Sequence, residues 1–181
     1  GVTATTGAIT TGAIAPISAT KDVTLLADTD IVIDDTIATT EGNVSLTATK
    51  GSITLNDNLS TNSTATRDAT SGKFAAGNVM LSAKTDVTQS ADILVKNGDV
   101  SVTATEGNLK MTTGKKTDIT SAGNIVYSAG KQLDSEILAT KLGDITLTAG
   151  TDLLANNTIT TQGGAVKLTA TTGKIDTDID A

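Results

Sequence analysis

Carboxylates are the first side chains in this sequence that could do chemistry. They gather at Asp28, Asp30, Asp34 and Asp35, and again at Asp176, Asp178 and Asp180. Acids set this closely could chelate calcium, or divide general-acid and general-base roles at a glycosidic bond. The second group alternates, so in a strand its three side chains share one face and repel one another unless a cation lies between them. Neither group is matched by a neighbouring cluster of arginine or lysine, most of the acids fall in segments that read as turns, and the Gly-Gly-x-Gly-x-Asp calcium repeat is missing. The chain has no histidine and no cysteine. It therefore lacks the commonest general base, the commonest metal ligand and any disulfide, and its many Ser and Thr hydroxyls have no evident activator. The expectation is a protein without a catalytic residue, a metal or a cofactor.

The elements that must position these residues follow from an internal repeat. A unit of Gly, Asp/Asn, aliphatic, any, aliphatic, Thr/Ser, Ala reads KDVTLLA from Lys21, GNVSLTA from Gly42, GNVMLSA from Gly77, GDVSVTA from Gly98, GNIVYSA from Gly123, GDITLTA from Gly143 and GAVKLTA from Gly164. Successive starts are 21, 35, 21, 25, 20 and 21 residues apart. Alternate residues of a strand face opposite sides, so columns three and five (Val23 and Leu25 in the first unit, Ile125 and Tyr127 in the fifth) are core ladders. Column seven is alanine in every unit, which implies a corner with no room for another methylene. A second short strand lies at Ser52 to Leu55, Asp86 to Gln89, Asn108 to Met111 and Asp152 to Ala155. A third is expected about Ile37, Leu59, Ile93, Ile119, Ile137 and Ile159.

Three short strands per unit predict an all-β, parallel β-helix of about 21 residues per coil and seven to eight coils. At the strand spacing of roughly 4.8 Å this is a rod on the order of 35 to 40 Å long. With one Phe, one Tyr and no Trp, its core must be built from Val, Ile, Leu and Ala. No stretch keeps a 3.6-residue apolar period, which excludes a helical bundle. A β-sandwich is the alternative, but it would not require the same residue type at the same place in every unit. The Gly and Asp/Asn columns mark a recurring turn, with Asn43, Asn78 and Asn124 placed to form side-chain ladders between coils. The formal net charge of −7 argues against nucleic acid or an anionic membrane as partner. Residues 1–181 read as one β-helix fragment of a longer fibre protein, since Gly1 is followed by no charged-then-apolar leader.

The pattern G-[DN]-[VI]-x-L-x-A, followed by a short turn and Asp-Leu/Ile, resembles the repeats of filamentous-haemagglutinin-like adhesins, exoproteins exported by two-partner secretion in Gram-negative bacteria. The likeness covers about residues 21 to 179. It implies a right-handed helix, export through an outer-membrane partner, a place at the cell surface, and a role as the shaft of a fibre in adhesion, biofilm or contact-dependent competition. The Asn-Pro-rich secretion signature of that family is absent here, Pro16 being the only proline, so this would be repeat region.

Specificity is then expected where the period breaks. The 35-residue gap holds an insertion, residues 62–76, with the only arginine, Arg67, together with Lys73 and Phe74. It is either a candidate loop for a host-cell receptor or glycan, or an excursion that packs on its own coil with Phe74 covering apolar surface. A smaller insertion, residues 113–117, sets Lys115 and Lys116 beside Lys110 as a basic spot or a solvated turn. The outward Thr/Ser row of column six suggests ice binding, but column four breaks the second file at Met80, Val126 and Lys167. Asn43, Asn58, Asn62 and Asn156 begin glycosylation sequons, a chance-level signal in so Thr-rich a chain. Open ends would let such a rod associate end to end.

Overall fold

The computed structural model describes residues 1–12 and 15–177. Among these residues there are twenty-three strands and no helix. The strands stack in three parallel sheets that run the length of the molecule. The first sheet holds Val2–Ala4, Val23–Ala27, Val44–Ala48, Val79–Ala83, Val100–Ala104, Ile125–Ala129, Ile145–Ala149 and Val166–Ala170. The second holds Ile9–Thr11, Ile31–Ile33, Ile53–Leu55, Val87–Gln89, Leu109–Met111, Leu133–Ser135, Leu153–Ala155 and Ile175–Thr177. The third holds Ile17–Ala19, Ile37–Thr39, Leu59–Thr61, Ile93–Asn97, Lys116–Ala122, Ile137–Leu142 and Ile159–Thr161. Each strand pairs with its counterparts one turn away, so the chain is a β-solenoid of about eight coils, numbered here by their first-sheet strands.

The repeat columns are the registers of this stack. Val44 pairs with Val79, Leu46 with Leu81 and Ala48 with Ala83, and the same in-register pairing continues to Ala149 and Ala170. In coils two to seven the third, fifth and seventh columns are buried, forming one continuous core with the inward residues of the other sheets. Burying each Val, Leu or Ile contributes about 1.5–3 kcal/mol, against a backbone ordering cost of about 1–2 kcal/mol per residue. Stability therefore accrues coil by coil rather than from one centre.

Sterics, more than turn conformation, explain the glycine column. A Cβ on Gly123 would fall inside the carbonyl of Gly98, and one on Gly98 inside the carbonyl of Gly77. Backbone rides directly on backbone at this corner. Beside it, inward threonines of the third sheet donate to the corner carbonyls: Thr39 Oγ1 to Gly42 at 2.9 Å, Thr61 to Gly77 at 2.8 Å and Thr140 to Gly123 at 2.8 Å. A buried hydroxyl is tolerated here because it satisfies a carbonyl that the turn leaves free.

The third strand differs from expectation in coils five and six. Thr117, not Ile119, takes the position of Ile93, and Ile119 pairs instead with Val95 and Thr140. Leu138, not Ile137, continues that column. The extra residues before Lys116 shift the frame of the third sheet, which carries irregularities between Val95 and Asn97 and between Ile119 and Ala122.

Candidate functional site

The carboxylates identified in the sequence are bound up in holding coils together. At the glycine corner Asp and Asn share a single ladder in which each side-chain oxygen accepts the main-chain N–H of the next coil. Asp22 accepts from Asn43 at 2.7 Å, Asn43 from Asn78 at 3.0 Å, Asn78 from Asp99 at 2.9 Å, Asp99 from Asn124 at 2.8 Å, Asn124 from Asp144 at 2.9 Å and Asp144 from Ala165 at 2.8 Å. The predicted asparagine ladder thus exists, but Asp serves it equally, because the donor is backbone. A second ladder begins the second-sheet strands, where Asp30 accepts from Ser52 at 2.8 Å, Asp86 from Asn108 at 2.7 Å and Asp152 from Lys174 at 2.8 Å.

The first acidic cluster is dispersed by the same logic. Asp28 pairs with Lys50 at 2.9 Å, Asp34 accepts from the Asn56 amide at 2.8 Å, and Asp35 caps the N–H of Thr36 at 2.8 Å. Lys84 and Glu106 form a further ion pair between coils. Of the second cluster Asp176 lies on an outer strand, while Asp178 and Asp180 lie outside the described residues. Among the described residues no three potential ligands converge on a metal-sized site.

The long insertion folds back on the solenoid. Arg67 and Phe74 face each other across an antiparallel bridge, with the guanidinium carbon 4.8 Å from the ring centre. Phe74 is only 6% exposed although it lies outside the continuous core. Arg67 also donates to the Gly72 carbonyl at 2.6 Å and reaches Asp99 of the corner ladder at 3.2 Å. The tip is closed by Asp68, which accepts from the N–H groups of Ser71 and Thr70 at 2.6 and 3.1 Å. These bonds, that of Ser71 foremost, hold the Asp68 carboxyl below its ordinary pKa. Asn78 donates to the Phe74 carbonyl at 2.9 Å, and Asn97 donates to the carbonyl of the buried Ser63 at 3.1 Å. Of the three residues singled out in the sequence, Phe74 is covered and Arg67 is engaged. Lys73 is exposed, beside Thr70 and Ser71.

The short insertion is only partly a solvated turn. Lys115 N–H closes it onto the Thr112 carbonyl at 3.0 Å, but Lys116 and Thr117 belong to a third-sheet strand and Thr117 is buried. Lys116 lies 3.6 Å from Asp118, which offsets the expected basic spot. Glu136, nearly buried, accepts from the Gly114 N–H at 3.2 Å and fastens the turn to the next coil.

Sequence reading missed a polar cluster inside the core. Tyr127 from the first sheet donates its hydroxyl to Gln89 Oε1 of the second at 2.6 Å and lies 2.5 Å from Thr117 Oγ1 of the third. Gln89 Nε2 donates to Thr117 Oγ1 at 3.2 Å and to the carbonyls of Ala91 and Lys116 at 3.1 and 3.2 Å. All three side chains are buried, and burial pushes the Tyr127 phenol well above the usual tyrosine range. The signal was present as polar residues in mostly apolar columns, Tyr127 and Thr117 standing alone in theirs and Gln89 sharing its column with the buried Ser135.

The outer face of the third sheet carries two shallow depressions. One of about 360 Å³ is lined by Asp118, Thr120, Ala139, Lys141, Thr160 and Gln162. The other, of about 350 Å³, is lined by small residues that include Ser18, Thr20, Ala38, Thr40, Ser60 and Asn62. Hydroxyls, one amide and a few charges can hydrogen-bond a hydrated polar chain, but no aromatic ring is present to stack on. Compared with known proteins, the chain matches no family model, no curated protein and no solved structure.

Proposed function

We propose that this chain is a structural shaft or adhesin segment of a secreted bacterial surface fibre, one that holds or makes contact with a host-cell receptor, a glycan or a neighbouring cell and performs no catalysis. The observation that carries the reading is the use made of the acids. Asp22, Asp30, Asp86, Asp99, Asp144 and Asp152 accept main-chain N–H groups from the adjacent coil, and Asp28 and Asp34 bind the Lys50 and Asn56 side chains of the next, so their chemistry goes into continuity of the rod. The sequence likeness to filamentous-haemagglutinin-like repeats supports placement at the cell surface and export through an outer-membrane partner.

A second reading makes residues 62–76 the contact element, favoured by the exposed Lys73, Thr70 and Ser71 at the tip of a hairpin already held rigid by Arg67. Replacing residues 64–76 with a short turn separates the two. Undiminished attachment of purified protein to host cells or to biofilm polysaccharide excludes the loop, and loss of attachment with the far-ultraviolet β signature intact assigns it. Incubating the chain with a panel of polysaccharides tests the non-enzymatic reading. Turnover that disappears in Asp30→Ala or Asp86→Ala would overturn it.

A further inference from the structure

A solenoid of near-identical coils has a register problem. Seven first-sheet strands carry inward Val/Ile in column three and Ala in column seven, with Leu between them in five, so a strand slipped by two residues still points mostly aliphatic side chains inward. Coils three and seven are entered 21 and 20 residues after the coils before them, and such short connections limit slips. Coils four and six lack that constraint, because the chain enters them after 35 and 25 residues, through residues 62–76 and a second extra turn at residues 112–115, and the third-sheet ladder is irregular there.

The polar exceptions meet in this block. Gln89 comes from coil four, Thr117 from coil five and Tyr127 from coil six, and each belongs to a different sheet. Tyr127 lies between Val102 and Leu147 in the fifth column, and Val102 is smaller than the leucine that five other coils carry there. No buried side-chain polar atom among the described residues is left without a partner. Any slip of these coils would separate the phenol, amide and hydroxyl inside an apolar core, where unpaired polar groups are strongly disfavoured. The native arrangement is thereby favoured over slipped ones without having to be the most stable core obtainable, since apolar replacements of similar volume often serve stability as well.

We propose that Gln89, Thr117 and Tyr127 form a register lock, one residue from each sheet, that selects the alignment of coils four to six. The experiment uses the full chain with paired cysteines on the outer face of the first sheet. Ser101→Cys with Val126→Cys joins register partners. Ser101→Cys with Ser128→Cys joins residues that face each other only after a two-residue slip. Each pair is oxidised in the otherwise unchanged chain and in the apolar triple variant Gln89→Leu, Thr117→Val, Tyr127→Phe. The lock predicts that the triple variant keeps its β circular dichroism and a urea midpoint at or above the parent, while slipped cross-linking rises at least tenfold. Thr117→Val alone, which preserves the Tyr127–Gln89 bond, should give an intermediate rise. Native-register cross-linking alone in both variants overturns the proposal. So does loss of folded structure in the triple variant, because the cluster would then act for stability rather than alignment.

Discussion

Coils two and three differ from coils four to six in how they know their neighbours. In the former nearly every contact is a column contact repeated one coil away: Val on Val, Ala on Ala, and an Asp or Asn oxygen on the next N–H. In the latter, unique contacts reach further. Arg67, leaving from coil three, holds Asp99 of coil five, and Tyr127 of coil six holds Gln89 of coil four. Regular coils are therefore interchangeable in principle, whereas the middle of the rod is addressed by contacts that exist once. Repetition supplies stability, and exceptions supply identity.

The comparison can be broken most severely through a column that both regions share. Val100→Asp places a carboxylate at a fully buried position and should cost about 4 kcal/mol or more in urea unfolding, because no cation is at hand. Next comes the glycine corner. Gly98→Ala forces a methyl into the Gly77 carbonyl at a φ of 142° and should cost about 2–3 kcal/mol, whereas Gly7→Ala, with open space around it, should stay within about 0.5 kcal/mol. The ladder separates the regions more finely. Asn78→Ala removes the acceptor for Asp99 and two donated bonds, one of which anchors the Phe74 carbonyl, and should cost about 1–2 kcal/mol. Amide exchange after Asn78→Ala should accelerate in residues 64–76 as well as in coils three to five, whereas Asn43→Ala should affect only its adjoining coils.

Arg67→Ala should have a smaller effect on global unfolding than Asn78→Ala, about 0.5–1 kcal/mol, because its ion pair is about one-third exposed at each end. Its local effect should be plain, with faster exchange confined to the hairpin. Acid should loosen the same hairpin. The folded pKa of Asp68 is lowered, so the contribution of its carboxylate is present above the ordinary carboxylate range and is lost as pH falls through the folded value. Amide shifts of Thr70 and Ser71 should report that transition, and shifts that stay flat across the acid range would show that the carboxylate does not close the tip.

The periodic part of the fold was legible because strand alternation, repeated seven times, leaves the same residue types in the same columns. The third strand was harder to place where the period breaks. Ile119 and Ile137 drew the expected frame toward themselves, yet Thr117 and Leu138 hold the column. A threonine is acceptable there only because Gln89 and Tyr127 satisfy it, and those partners lie 28 and 10 residues away. The ladder residues were visible by type, but their acceptors' use, a main-chain N–H about one coil on, depends on coils already being stacked. The same holds for the long insertion. Its arginine and phenylalanine stood out at once, while their inward closure depends on Asp99, 32 residues beyond Arg67.

A chain wound in flat coils also stores length. Each coil of roughly 21 residues advances the rod by only about 4.8 Å, although the same residues drawn straight span about 70 Å. Peeled from one end under tension, the molecule would lengthen by about 65 Å per coil. The segment carrying residues 62–76 would give a longer step, at the place where Arg67 and the Gln89, Thr117 and Tyr127 cluster resist peeling. A rod that is rigid sideways would thus yield gradually along its axis, and single-molecule pulling would show the breaks in its repeat as breaks in its stride.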